Sequence, residues 1–222
     1  MMTTATMGTA SQAMRQAMVA SQLRTNAVDD PRVVEVMARV PREAFLPGAS
    51  AELAYRDIAI PLGSGRAANA PLAIGRLLTA AMLRATDRVL LIGAAGGYSA
   101  ALVAQLAAEV VAVEQDTALC DHARQALAAM STVSVVQGPL AAGHAQGAPY
   151  DVLIVDGAVE QLPETLITQL RPGARIVTGL VDRGVTRLAS GQVTQGGYGL
   201  QPFLDAECVV LPGFERPRGF RF

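Results

Sequence analysis

The chain has 222 residues, 51% hydrophobic but only 4% aromatic, with no Trp; this is long enough for one α/β domain with an aliphatic, alanine-rich core. Its 18 basic residues are scattered and balanced by 19 acidic ones, giving a net charge of −1, so no basic block exists to neutralise nucleic-acid phosphates. Gly, Gln105 and Glu109 interrupt the most apolar window before it could span a bilayer, and MMTTATMGTASQAM lacks the regions of a secretory signal. The expectation is a cytoplasmic protein without nucleic-acid or membrane partners, beginning with a short disordered lead-in. Cys120 and Cys208 show no C-x-x-C spacing and read as reduced, half-buried thiols.

Residues 11–25 predict a first helix, with Ser11 as N-cap and Met14, Ala17, Met18 and Ser21 on one stripe. Asp30-Pro31 opens a second: the Asp caps, the Pro takes the first helical position, and Pro41 closes it. Val33, Val36, Met37 and Val40 recur at helical spacing between them. Residues 58–62 read as a short strand, and the small residues from Ser64 to Ala70, after Gly63 and around Gly65, as a tight, mobile passage. Pro71 starts a helix over 71–85 that turns Ile74, Leu77, Leu78 and Met82 inward.

The stretch RVLLIGAAGGYSAALVAQLAAEVVAVE, residues 88–114, organises the rest. It predicts a buried strand over 89–92, a glycine-rich turn over 93–97, an apolar helix and a parallel strand over 110–113 ending on Glu114. A dinucleotide turn needs G-x-G-x-x-G so that amides can hold a pyrophosphate. Here Gly93, Ala95 and Tyr98 stand at those positions, with no basic residue expected nearby. Such a turn suits a ligand without phosphates, such as S-adenosylmethionine, with Glu114 accepting from the ribose hydroxyls; NAD and an empty structural turn remain the alternatives.

Asp116 caps a further helix carrying Leu119, Ala123, Leu127 and Met130, and strands follow at 133–137 and 151–155, the latter ending in Asp156-Gly157. A short helix over 163–170, a Pro172-Gly173 turn and a strand over 175–180 come next. From Val185 on, strand pieces between Gly-rich turns predict antiparallel additions to the sheet edge. His122 and His144 read as surface residues.

These segments resemble the protein-L-isoaspartate O-methyltransferases from about Met18 to Leu180. MVASQLR, DPRVVEVMARVPREAFLP and AYRDIAIPLGSG carry the most specific likeness; VLLIGAAGGYSAALVA, YDVLIVDGA and LRPGARIV are similar to the later motifs. The expected organisation is one domain over 1–222: N-terminal helices and a substrate and cofactor loop over 11–85, a Rossmann-like core over 86–181, and, beyond the resemblance, which the tail after Leu180 matches poorly, the C-terminal strands over 182–222. The implied fold is the class I S-adenosylmethionine-dependent methyltransferase fold, a mainly parallel sheet with an antiparallel C-terminal addition.

The implied activity is methyl transfer from S-adenosylmethionine to the free carboxylate of an isoaspartyl residue in a damaged protein or peptide. The implied cofactor residues are Gly93, Ala94, Ala95, Gly97, Glu114, Gln115, Gly138, Pro139 and Asp156. Asn69 is the expected catalytic residue, contacting substrate carboxylate or cofactor. Several positions depart from the family pattern. The family's Thr-Ile-Ser-(Gln or Ala)-Pro loop is Ala67, Ala68, Asn69, Ala70 and Pro71 here, so both hydroxyls are gone. Ala94 and Ala95 replace Thr or Ser and then Gly, Gly138-Pro139-Leu140 replaces Gly-Asp-Gly, and Asp156 stands where Thr is common. The alternative implied by these losses is a catalytically silent relative that binds an adenosyl ligand or acts as a scaffold.

Overall fold

The computed structural model describes residues 4–47 and 51–216. The centre of its sheet is built from runs that are almost wholly apolar, because both faces are covered there. The parallel strands are β3 (Arg88–Ile92), β4 (Glu109–Glu114), β5 (Val133–Gln137), β6 (Tyr150–Val159) and β7 (Leu170–Asp182). Strands β8 (Val185–Thr194) and β9 (Gly197–Asp205) extend the β7 edge antiparallel, giving the order β5-β4-β3-β6-β7-β8-β9. This is the expected parallel sheet with an antiparallel C-terminal addition. A separate hairpin pairs β1 (Ile60–Gly63) with β2 (Arg66–Ala68), so the passage read as mobile carries a strand of its own.

Successive residues of each strand serve different cores. Val89, Leu91, Val110, Ala112, Val152 and Ile154 pack with the helices α1 (Thr4–Met18), α2 (Pro31–Arg39), α4 (Pro71–Ala81), α5 (Tyr98–Val103) and α6 (Thr117–Ala126). Between α2 and β1 lie a tight helical turn, Arg42–Phe45, and the short α3 (Ala51–Ala54). Leu90, Ile92, Val111, Val113, Leu153 and Val155 face the other layer, built from Leu140, the short α7 (Glu164–Ile167), Leu211 and Phe214.

The N-terminal helix departs from expectation at both ends. It starts at Thr4, leaving only residues 1–3 of the expected lead-in outside the described residues, and Ser11 lies inside it rather than capping it. A π-helical turn, Val19–Leu23, then shifts the phase of the buried stripe. Met18, Val19 and Leu23 are buried, while Ala17 and Ser21 are exposed. Asp30 caps α2 as expected, its side chain accepting from the Arg32 amide.

Helix α4 stops four residues short of its expected end. Met82 takes a left-handed conformation there and is 61% exposed, not inward. Pro172-Gly173 is an irregularity inside β7 rather than a turn before it, because β6 pairs Tyr150 with Leu170 and then Val152 with Arg175. Both cysteines are buried outright. His122 and His144 are partly covered, and His122 Nε2 is buried without a partner among the described residues.

Chain order runs β3, β4, β5 to one side and then crosses to β6, so the crevice at the carboxyl ends of β3 and β6 is the topological switch point, where ligands of open α/β sheets bind. Gly93 ends β3 there and Asp156 lies near the end of β6, at an irregularity between Ile154 and Ala158.

Candidate functional site

The glycine-rich turn is held by its own backbone. The amides of Gly93 and Ala94 donate to the Val113 carbonyl at 3.0 and 3.1 Å, and that of Gly97 donates to Ala94 at 2.8 Å. Gly97 has φ +100 at the N-cap of α5, a conformation in which an L side chain is strained. Ala95 nevertheless adopts φ +48, and its amide donates to Glu114 Oε2 at 2.8 Å. Parallel pairing of β3 with β4 brings the turn and Glu114 together, as the sequence predicts.

Glu114 is fully buried and accepts five hydrogen bonds. The amides of Ala95, Gln115 and Asp116 supply three, at 2.8, 2.9 and 3.2 Å. Arg66, on β2, supplies the other two: Nε to Oε1 at 3.0 Å and Nη2 to Oε2 at 2.8 Å, with both side chains at most 1% exposed. Burial works to raise this carboxyl, but the Arg66 bonds and charge, with the amides of Asp116 and Ala95, outweigh it and hold the pKa below the ordinary value. The carboxylate expected to receive ribose hydroxyls is thus bonded to the chain's own guanidinium.

A second cluster sits at the end of β6. Asp156, 9% exposed, accepts from Asn69 Nδ2 at 2.7 Å and from the Ser99 hydroxyl. Burial pushes its pKa up, against the lowering pull of the Ser99 and Asn69 bonds and the Arg42 charge. Asn69 joins three segments. Its Oδ1 accepts from the Val209 amide at 2.7 Å, and its backbone carbonyl accepts from Arg42 Nη2 at 2.6 Å. Arg42 is fully buried in the turn Arg42–Phe45, with its guanidinium carbon 5.2 Å from the centre of the Tyr98 ring. Among the described residues its Nε and Nη1 have no partner, nor does the Tyr98 hydroxyl, which burial pushes up to about 12.

The crevice is closely covered. A Cβ on Gly96 would lie 1.8 Å from the Phe45 carbonyl oxygen, and one on Gly93 would meet Leu211 at 3.0 Å. Leu211 arrives on the tail segment that bonds to Ala158 on β6. The space left among Arg42, Phe45, Ala95, Tyr98, Ser99 and Asp156 is about 10 Å³, whereas pockets for small ligands run to about 300–1,000 Å³.

Of the expected site residues, the structure brings together Gly93, Ala94, Ala95, Gly97 and Glu114, with Asp156 and Asn69 at the next strand end. Gly138 and Pro139 follow β5 directly, and the Gly138 amide donates to the Glu114 carbonyl. The Gln115 side chain is exposed, and the residue contributes its amide alone. Sequence reasoning missed Arg42, Arg66 and Ser99, and its statement that no basic residue lies near the turn is overturned in space. The available signal was a lone Arg66 among small residues in GSGRAANAP.

The family model described as protein-L-isoaspartate(D-aspartate) O-methyltransferase matches residues 13–195. Protein-L-isoaspartate O-methyltransferase 1 of Rhodopseudomonas palustris (strain HaA2) is 42% identical over 179 residues, 79% of this chain and 73% of that protein. A relative named protein-L-isoaspartate O-methyltransferase from Methanoculleus marisnigri is 38% identical over 165 residues, 73% of this chain and 75% of its own length. A solved protein-L-isoaspartate O-methyltransferase superposes with a TM-score of 0.79 at 23% identity, covering 90% of this chain and 66% of that one. A beta-aspartate methyltransferase structure from Plasmodium falciparum, in complex with S-adenosyl-L-homocysteine, gives 0.74 at 17% identity, covering 89% and 97%. These likenesses show a shared fold, the Rossmann-like architecture of the class I methyltransferases.

Proposed function

The chain belongs to the protein-L-isoaspartate O-methyltransferase family, and from that premise we infer that it methylates the free carboxylate of isoaspartyl residues in damaged proteins. S-adenosylmethionine is the cofactor and supplies the methyl group on a sulfonium. The finer reading is a repair role in the cytoplasm, with isoaspartyl proteins or peptides as partners.

The supporting observation is Glu114. It sits at the tip of the strand beside β3, bonded to the amide of Ala95 in the glycine-rich turn, at the switch point of the sheet. A carboxylate here suits a nucleoside diol, and the turn, with Ala95 and Tyr98 at two of the three glycine positions and the Ala95 amide already bonded to Glu114, is a poor cradle for a pyrophosphate. By donor chemistry the residues fit an adenosyl ligand; by volume, the closed arrangement does not, and the hairpin carrying Arg66 has to withdraw first.

The accepting carboxylate is ionised at neutral pH, with a reference pKa near 4, so the chain needs no general base. Its work is to bind, orient and exclude water. Glu114 would hold the ribose, the turn over residues 93–97 the amino-acid end, and the segment at Gly138 and Pro139 the base. Asn69 and Asp156 would form the wall facing the acceptor. The buried Arg42 sets a positive charge beside that wall, which favours a carboxylate there over a neutral acceptor.

The test is transfer of radiolabelled methyl from S-adenosylmethionine to a synthetic isoaspartyl peptide, with the aspartyl isomer as control. Labelling of the isoaspartyl peptide alone is expected. S-adenosylhomocysteine binding without any transfer would favour the adenosyl-binding or scaffolding reading, which the closed Glu114 carboxylate supports. Loss of both would end the reading.

A further inference from the structure

Arg66 meets Glu114 in an arrangement that resembles a ligand. Two donors on adjoining atoms, Nε and Nη2, reach the two carboxylate oxygens at 3.0 and 2.8 Å. A vicinal diol presents two O–H donors to a carboxylate in the same side-by-side manner. The remaining three bonds to Glu114 come from backbone amides and do not depend on Arg66. We propose that Arg66 is a built-in competitor for the nucleoside, so that ligand affinity is set by exchange of its guanidinium for the ribose hydroxyls on Glu114. This inference rests on the reading of Glu114 as the ribose acceptor.

Three observations make the exchange physically reasonable. The hairpin of β1 and β2 forms its own two-stranded sheet, outside the seven-stranded one. Its turn has three consecutive positive-φ residues, Gly63, Ser64 and Gly65, and a Cβ on either glycine would meet nothing within 4 Å. The tip of the hairpin therefore turns in open space among the described residues, held near Glu114 by Arg66, while its base packs into the core through Ile60 and Ala68. Finally, Arg66 Nη1 is buried without a partner among the described residues, so the seated guanidinium leaves one donor nitrogen unsatisfied that water would satisfy on withdrawal. A buried ion pair is close to break-even against solvation, which keeps the exchange within reach of a ligand's binding energy.

The charged groups that face the pair are few. Asp116 adds negative charge on the Glu114 side, and its own carboxyl is held low, chiefly by the Leu119 amide and also by the Arg66 charge. Asp156 lies across the crevice and also feels the Arg66 charge. Displacing Arg66 thus moves one positive charge away from three carboxylates. The incoming ligand that suits this exchange carries its own cationic centre, which a sulfonium nucleoside does and its neutral thioether product does not.

The experiment is titration calorimetry of the full chain with S-adenosylhomocysteine and S-adenosylmethionine, comparing wild type with Arg66→Ala and Arg66→Lys. Loss of the competing bidentate bond is expected to tighten S-adenosylhomocysteine binding by about ten- to a hundredfold in Arg66→Ala, with Arg66→Lys between that variant and wild type. Equal or weaker binding by a folded Arg66→Ala overturns the proposal. Should that variant fail to fold, the unaltered chain decides: a crystal structure with S-adenosylhomocysteine must show Arg66 off Glu114, and Arg66 still seated there overturns the proposal. Tightened binding without methyl transfer to the isoaspartyl peptide would refute the proposed reaction alone. Transfer with no gain in affinity would refute the competitor alone.

Discussion

Replacing Asn69 by Ala is the sharpest test of how the wall of the crevice is held. The substitution removes the Nδ2 donor 2.7 Å from Asp156 Oδ1 and the Oδ1 acceptor 2.7 Å from the Val209 amide. The first bond is to a buried charged group and is worth about 1.5–3 kcal/mol. The second frees an amide that is only part-buried and can find water, so its loss costs about 0.5–1.5 kcal/mol. Together the expected destabilisation is about 2–4.5 kcal/mol, a large share of the roughly 5–15 kcal/mol typical of a domain. Asn69→Asp supplies the internal control. It sets a second carboxylate beside Asp156, whose pKa burial already pushes up, so the two must share a proton. A folded-state pKa above the unfolded value means stability that is full below about 3.9 and lost as pH rises through the folded value. Asn69→Asp is therefore expected to approach wild type near pH 4 and to fall well below it at pH 7. Urea unfolding followed by circular dichroism at both pH values reads each quantity. A loss under about 1 kcal/mol in Asn69→Ala, or a pH-independent deficit in Asn69→Asp, would refute the account of this cluster.

Three further outcomes follow from packing. Gly96→Ala drives a methyl to within 1.8 Å of the Phe45 carbonyl and has to push the Arg42–Phe45 turn off the glycine-rich turn; Gly138→Ala meets nothing within 4 Å. In thermal melts the first is expected to lose about 3 kcal/mol or more and the second to stay within about 0.5 kcal/mol of wild type. Leu211→Ala removes a 2% exposed side chain from above Gly93 and Gly157; a cost of about 2–5 kcal/mol is expected in urea unfolding, and an unchanged midpoint would show that the tail does not seal the crevice. Cys208 is buried and its thiol is pushed up to about 12 by burial, so it and the buried Cys120 are expected to resist a thiol reagent in the native protein and to react on unfolding.

The expected βαβ unit is present because its signal is local: short aliphatic runs, the first ended by glycine, suit buried strands, and the helix between them suits a parallel pairing of β3 with β4. Asp30-Pro31 likewise gave a helix start that the structure repeats, since capping depends on neighbours in sequence. The helix that ran to residue 26 through a π-turn was less legible. Its buried stripe follows whichever residues the rest of the fold touches, and the extra residue per turn at Val19–Leu23 has no signature in the pattern of apolar positions.

What the chain determined by itself is the scaffold and the carboxylate at its switch point: periodicity, glycine and strand order place Glu114 beside Gly93 whatever surrounds them. What only the tertiary structure decided is that carboxylate's partner. Arg66 is 48 positions from Glu114, and Asn69 is 87 from Asp156 and 140 from Val209. Side-chain bonds across such separations follow from how layers and tail are stacked, and local sequence carries no term for them.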